Sequence, residues 1–459
     1  MRNNTIASMV AALLLSACTT VGPDYQAPRQ VADIDFSSPY SRAERALSWW
    51  QVFEDPHLDR LIELTLANNR ELEQASANVE RAYAVFHDVD NNRWPQGSLD
   101  AGYQAGENGT VASDDDGVIA RGYRSGLGLS WDPDLFGKLR RASQAGRAEA
   151  EQARILWHDA QLRLVSQVAT SYGEYRGAQL RLEVARQNLD NLRQTRDIIQ
   201  ARFDAGLASE LELVRIDAQL LEVAAGLPDH QLALLTAETT LAALVGSKPG
   251  PLQLGERAEL PRLAQPVAIA DGTNYLRYRA DVAGAERSLA ARTADIGVAT
   301  ADLYPSLSFS GFLGFVSGPG WALGSDQRSW SIAPGLSWQA ADLGSVRARI
   351  RAAGAGRQMA LAEFEQKVID ALGEMQLALH GYNLGRERQL GLEQQWQASN
   401  KAVAIARARY QAGSGDFLEL LDAEREQLRS RDRMAQQEQD SFSRLVAVYR
   451  SFGGGIEPL

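Results

Sequence analysis

The sequence predicts an α+β membrane protein in which several chains share one β-barrel and long helices run away from it. Three observations carry that expectation: a tandem duplication, paired alternating segments of bilayer length, and helical runs too long for a compact core. The 459 residues are 45% hydrophobic and 23% charged, a composition with ample core-forming capacity. A net charge of −11, from Lys+Arg 47 against Asp+Glu 58, argues against nucleic acid, whose phosphates require a basic surface. The partners expected are proteins and lipid.

The N-terminus reads as an address. Arg2 precedes an apolar stretch from about Ile6 to Leu15, then Ser16 and Ala17 lead to Cys18. That run fits a secretory signal over 1–17 and is too short to span a bilayer as a helix. Cys18 is the chain's single cysteine, so intrachain disulfides, Cys-rich zinc sites and redox pairs are excluded. Beyond it no run of about 18 apolar residues occurs, and a membrane crossing would have to be a β-barrel.

The duplication appears when the chain is laid on itself at a shift of 207. Ala201-Arg-Phe-Asp-Ala-Gly-Leu-Ala-Ser-Glu-Leu-Glu-Leu213 then falls on Ala408-Arg-Tyr-Gln-Ala-Gly-Ser-Gly-Asp-Phe-Leu-Glu-Leu420, with seven of thirteen residues identical. Leu129-Ser-Trp131 falls on Leu336-Ser-Trp338, and Gly137 on Gly344. A period near 200 is too long for a solenoid, so each copy is expected to be a half-domain packed beside its twin. The expected division is 1–17 signal, 18–57 N-terminal segment, 58–247 first repeat, 248–272 proline-bearing connector, 273–452 second repeat and 453–459 tail.

Within each copy the elements follow one order. A helical pattern over 58–93, and again over 275–304, stops at Trp94-Pro95 or Tyr304-Pro305, where proline disfavours helix in the preceding residue. Strands follow: Tyr123, Leu127, Leu129 and Trp131 alternate with polar or small residues, as do Leu307, Phe309, Leu313 and Phe315. About ten such residues cross a bilayer at a tilt. The connecting loops are polar and Gly-rich, the first carrying Asp114, Asp115 and Asp116. Long helices are then expected from Gly137 to about Ala205 and from Gly344 to about Ala412. Leu162, Val165, Val168, Tyr172, Tyr175, Leu182, Leu189 and Leu192 recur in a heptad-like way. Some 68 helical residues would reach roughly 100 Å. Gly206 and Gly413 break these runs, and Ser209-x-x-Glu212 and Asp416-x-x-Glu419 read as capping boxes opening the return helices.

Four strands per chain cannot close a barrel, and open edges in lipid are forbidden, so chains must share one. Three chains would give twelve strands; two would give eight, too narrow for an open lumen.

These residues resemble the outer membrane efflux protein family, the TolC-like channels, and within it the lipoprotein branch resembling OprM. The resemblance rests on Cys18-Thr-Thr-Val-Gly-Pro-Asp-Tyr-Gln-Ala-Pro28, on Trp49-Trp50-x-x-Phe53-x-Asp55-Pro56-x-Leu58, on Leu129-Ser-Trp-Asp-Pro-Asp-Leu-Phe-Gly137, and on Ala408-Arg-Tyr-x-x-Gly413 with Leu420-Leu-Asp-Ala423. It implies a homotrimer: a twelve-stranded outer membrane barrel continuing into a long periplasmic α-helical barrel, docked to a periplasmic adaptor and an inner membrane pump. Leu15-Ser16-Ala17-Cys18 is similar to a bacterial lipobox, which implies acylation of Cys18 and no other cofactor. The implied function is the passive exit duct of a tripartite efflux pump. A type I protein-secretion duct and a periplasmic cell-wall-associated lipoprotein are the alternatives. Gln339-Ala-Ala-Asp-Leu-Gly344 departs from the family pattern, where a Pro and a Phe usually precede the glycine, and puts the local barrel-exit geometry in question.

The resemblance also implies a constricted periplasmic aperture, with Leu418 as its apolar position and Glu419 and Asp422 as its acids. Three symmetry copies of an acid on a narrow axis concentrate negative charge. Glu419 has a second reading, as a capping-box residue. Asp422 lies beyond the first turn, where capping does not explain it. Arg215 occupies the place of Asp422 in the first copy, and Arg215 or Arg202 would bridge to acids of the other hairpin, or be plain solvated residues. Gly206 and Gly413 read as helix C-caps and as tip contacts for the adaptor. Trp49, Trp50 and Trp94 read as equatorial packing, and Trp131, Trp330 and Trp338 as interface anchors or core. Enzyme chemistry is not expected: His57, His87, His158, His230 and His380 show no metal spacing, and no phosphate-loop motif is present.

Overall fold

The computed structural model describes residues 20–28, 48–108, 118–248, 250, 252, 254–255, 260–261, 276, 279–318 and 324–454. Cys18, Asp114, Asp115, Asp116 and most of the connector lie outside the described residues.

Helix α1 spans Pro56–Asn68, with Asp55 as N-cap, its carboxylate accepting from the His57 and Leu58 amides at 2.9 and 3.3 Å. Helix α2 spans Arg70–Asn91. The single helix expected over 58–93 is therefore two. Asn69 divides them: its backbone is extended, its Oδ1 accepts from the Glu71 and Leu72 amides, and its Nδ2 donates to the Leu244 carbonyl. An Asn at this point caps one helix while ending the other, a local bond that competes with continued helix.

Strands β1 (Gln96–Asn108) and β2 (Val118–Trp131) are followed by α3 (Lys138–Asp204) and α4 (Glu210–Leu244). The second repeat gives α5 (Ala280–Ala301), β3 (Ser306–Ser317), β4 (Arg328–Ser337), α6 (Leu343–Gln411) and α7 (Phe417–Ser451). Both long helices thus run close to their expected bounds.

The strands form one antiparallel sheet in the order β1-β2-β3-β4, with the β2–β3 ladder joining the two repeats. Its register aligns Leu99, Leu127, Leu313 and Trp330 directly across all four strands. These side chains are 80%, 58%, 64% and 73% exposed. One face of the sheet is therefore apolar and, among the described residues, uncovered, and its outer strands β1 and β4 pair there on one side only.

Contacts divide the chain into two compact units, each drawing on both repeats. The repeat is a unit of sequence and not of packing. The first unit comprises the described parts of Met1–Arg29, Ala77–Arg154 and Gly284–Gln366. Here the duplication is visible in hydrogen bonds: Trp131 Nε1 donates to the Arg93 carbonyl at 3.3 Å and Trp338 Nε1 to the Leu303 carbonyl at 3.1 Å. Each tryptophan ties the end of a strand to the turn that precedes its partner strand. Trp94 is exposed within the single chain. The buried Arg141 holds the segment after Thr20, donating to the Val21 and Gly22 carbonyls and to Asp24.

The departure noted at 339–344 has a structural counterpart. In the first repeat Asp134 and Gly137 both take positive φ, and the Asp134 carboxylate accepts from the Leu139 and Arg140 amides at 2.9 Å. In the second, Ala341 stands where Asp134 does, and a 3-10 turn over Ala340–Asp342 passes directly into α6. Gly344 is an ordinary helical residue there.

The second unit holds Gln30–Ser76, Ile155–Ala283 and Lys367–Leu459, as far as these are described. Trp49 is fully buried and stacks on Tyr449 with centroids 5.0 Å apart. Gly173 lets α7 approach α3 closely, since a Cβ there would stand 2.4 Å from Phe442 Cδ1. The buried Arg176 donates to the Tyr172 hydroxyl and to the Leu254 carbonyl, so a charge in the heptad-like core is fully engaged by oxygen acceptors.

Candidate aperture site at the hairpin tips

The tips are made by two equivalent chain reversals in the second unit. At the first, the Leu207 amide donates to the Arg202 carbonyl at 2.7 Å and the Gly206 amide to the Phe203 carbonyl at 2.8 Å. At the second, Ser414 donates to the Arg409 carbonyl and Gly413 to the Tyr410 carbonyl, both at 3.0 Å. Gly206 and Gly413 have φ of +72° and +73°, the left-handed conformation that closes a helix and that glycine adopts without strain.

The return helices start differently. Ser209 and Glu212 form the expected reciprocal capping box. The box expected at Asp416 does not form: Asp416 accepts from the Leu418 amide at 3.1 Å, while Glu419 turns to Arg409, 3.6 Å away. A carboxylate at the N-cap repels the returning carboxylate that a serine would welcome, and Arg409 offers it a counter-charge. The capping reading of Glu419 is thereby overturned.

Leu192, Ile199, Ile216, Tyr410, Phe417, Leu420 and Leu421 form a buried cluster that joins the two hairpins. Tyr410 is its polar hinge: its hydroxyl donates to Glu212 Oε2 at 2.7 Å, and Arg202 donates to its carbonyl at 3.0 Å with the guanidinium 4.7 Å over its ring. Burial, then the bond to Glu212, pushes the Tyr410 hydroxyl up to about 12. Arg202 therefore engages the other hairpin through a carbonyl and a ring, not through the acid expected for it. Arg215 is exposed and enters no ion pair among the described residues.

On α7 the buried residues Phe417, Leu420, Leu421 and Glu424 follow one helical stripe. Leu418 (45% exposed) and Asp422 lie four residues apart on the opposite, solvent-facing side, with the exposed Glu419 beside them. The fold therefore puts the three expected aperture residues together on one accessible face. It also adds a residue that the sequence reading missed. Glu424 is 4% exposed, and its Oε1 accepts from Thr195 Oγ1 at 2.7 Å and Arg407 Nη2 at 2.9 Å. The available signal was its register: a glutamate in the apolar stripe needs buried partners.

Comparison with known proteins bears on the whole chain. A family model described as "Outer membrane efflux protein" matches twice, at residues 61–247 and 274–454. The chain belongs to the outer membrane efflux protein family. Its two matched segments fall on the two repeats. The outer membrane protein OprJ of Pseudomonas aeruginosa is 28% identical, covering 98% of this chain and 95% of the relative. The probable outer membrane lipoprotein SilC of Salmonella typhimurium is 27% identical over 98% of each. A solved structure of the outer-membrane channel OprN is 42% identical with a TM-score of 0.90, covering 95% of this chain and 99% of that one. As a member of this family the protein is an outer membrane efflux channel that extends into the periplasm.

Proposed function

We propose that three copies of this chain close one twelve-stranded barrel and act as the exit duct of a tripartite pump, joined to a periplasmic adaptor and an inner membrane pump. The observation that carries this reading is the row Leu99, Leu127, Leu313 and Trp330 across a four-stranded sheet with two open edges. Such a face suits lipid, and in lipid both edges need strand partners that only neighbouring copies supply. Strands of 13, 14, 12 and 10 residues are long enough to cross the hydrocarbon layer. Among the described residues no helix is long and apolar enough to do so.

The duct conducts small molecules passively, with the energy supplied by its partners; the relatives named for efflux support this cargo class. Acylation of Cys18 anchors the chain in the outer membrane, a reading supported by the naming of SilC as a lipoprotein. Leu418, Glu419 and Asp422 form the periplasmic constriction, and the caps at Gly206 and Gly413 shape the turns that meet the adaptor.

Native mass spectrometry of the detergent-extracted protein tests the assembly. Trimers carrying a lipidated residue 18 are expected; monomers that retain full β-sheet signal would overturn it.

A further inference from the structure

The second face of the sheet, opposite Leu127 and Leu313, carries mostly glycine and serine. Phe312 breaks that pattern. It stands in the polar register of β3, paired with Gly128 and Ser331, yet is 6% exposed, whereas Leu313 beside it on the apolar face is 64% exposed. Its ring lies flat along the sheet over two glycines. A Cβ on Gly126 would stand 2.9 Å from Phe312 Cε2, and one on Gly314 2.8 Å from its Cζ, besides meeting backbone atoms.

Arg124 lies over the ring, with its guanidinium carbon 3.9 Å from the centroid. A carboxylate is near enough in register to compete for it. Asp100 shares this face on the adjacent strand, paired with Gly126, and accepts from Ser98 Oγ at 2.9 Å. Arg124 nevertheless enters no ion pair among the described residues and stacks on Phe312 instead. Stacking fixes the guanidinium in place, because the planar group gains cation–π attraction on one side while its exposed side stays wet. Two side chains and two glycines thus present on the polar face a positioned cation with no ion-pair partner among the described residues.

We propose that Arg124, held by Phe312, sets the charge selectivity of the barrel lumen and favours small anionic solutes, those bearing carboxylate or phosphate groups. The proposal rests on the barrel reading above, in which the apolar face meets lipid and the polar face turns inward. Three symmetry copies then make a ring of three cations. The Asp100 ring lies two residues along the strands, roughly 7 Å away, and works in the opposite sense.

Planar-bilayer recordings across a KCl gradient test this. Arg124→Gln should move the reversal potential toward that of potassium, and Asp100→Asn should move it toward that of chloride. Phe312→Ala, which keeps the charge and removes its support, should give an intermediate shift. Arg124→Cys supplies a second reading within one inserted channel: a cationic methanethiosulfonate should restore the parent value and an anionic one should shift it further toward potassium, with the parent channel unaffected by either. A parent that conducts while Arg124→Gln keeps its reversal potential and Arg124→Cys ignores both reagents would overturn the proposal alone. A parent that forms no channels would overturn the barrel reading and the proposal with it.

Discussion

Glu212 serves Ser209 and Tyr410 at once: its Oε1 accepts from the Ser209 amide at 3.3 Å, while its Oε2 accepts from the Tyr410 hydroxyl at 2.7 Å. One carboxylate therefore closes the first turn of α4 and fastens it to the last turn of α6. Tyr410→Phe removes only the second of these bonds, a loss of about 1 kcal/mol in hydrogen bonding, with the cap intact. Glu212→Ala removes both and should cost roughly 1 kcal/mol more. The two should be non-additive in a double-mutant cycle read from thermal midpoints. The sign with pH follows from the raised hydroxyl. Folding holds the proton more tightly than the unfolded chain does, so the link is fully present below pH 10 and is lost as pH rises through about 12. Tyr410→Phe should abolish that alkaline loss.

Asp422 and Glu419 should differ as aperture acids. Glu419 lies 3.6 Å from Arg409, whereas Asp422 has no ion-pair partner among the described residues. Asp422→Ala should therefore weaken block by multivalent cations from the periplasmic side and alter conductance more than Glu419→Ala. Both are surface substitutions and should change stability by about 0.5 kcal/mol at most. Equal conductance and equal block in parent and Asp422→Ala would remove Asp422 from the aperture.

Gly413 separates capping from contact. A Cβ there meets nothing within 4 Å, so the cost of Gly413→Ala is the left-handed backbone alone, about 1–2 kcal/mol. Gly413→Asn should cost less, because asparagine tolerates that conformation. If the tip also meets an adaptor through a close backbone approach, Gly413→Asn should lose adaptor cross-linking while its thermal midpoint stays near the parent's. Unchanged cross-linking would assign the glycine to capping only.

Asp159 is predicted to cost stability at neutral pH. Burial, and then the Asp281 carboxylate, raise its pKa, against Arg163, Arg450 and Arg279. A raised acid binds its proton more tightly when folded, so stability falls as pH rises from the ordinary aspartate range through the folded value. Asp281 behaves oppositely. Burial acts to raise it, but the Arg279 bond outweighs that and holds it low, so its contribution is present at neutral pH and lost in acid. Asp159→Asn should raise the thermal midpoint at pH 7, and the difference should shrink as pH falls toward 4.

Periodicity, proline and glycine placement, and internal repetition determined the order of elements, because each is written in local backbone preference. The aromatic-Pro stops, the alternation of β2 and β3, and the glycine caps at 206 and 413 were all legible in that way. So was the tandem duplication, which the two family matches at 61–247 and 274–454 repeat. What tertiary structure decided depends on neighbours distant in sequence. Asn69, whose local cap divides two helices, is also held through its Nδ2 by the Leu244 carbonyl, 175 residues away. Glu419 abandons its cap because Arg409 stands opposite. Glu424 is buried because Thr195 and Arg407, 229 and 17 residues away, supply its hydrogen bonds. Phe312 lies flat because two glycines on adjacent strands come together beneath it. A side chain's own spacing cannot reveal such partners, since the free energy that places it comes from pairing across strands and helices and not from the local chain.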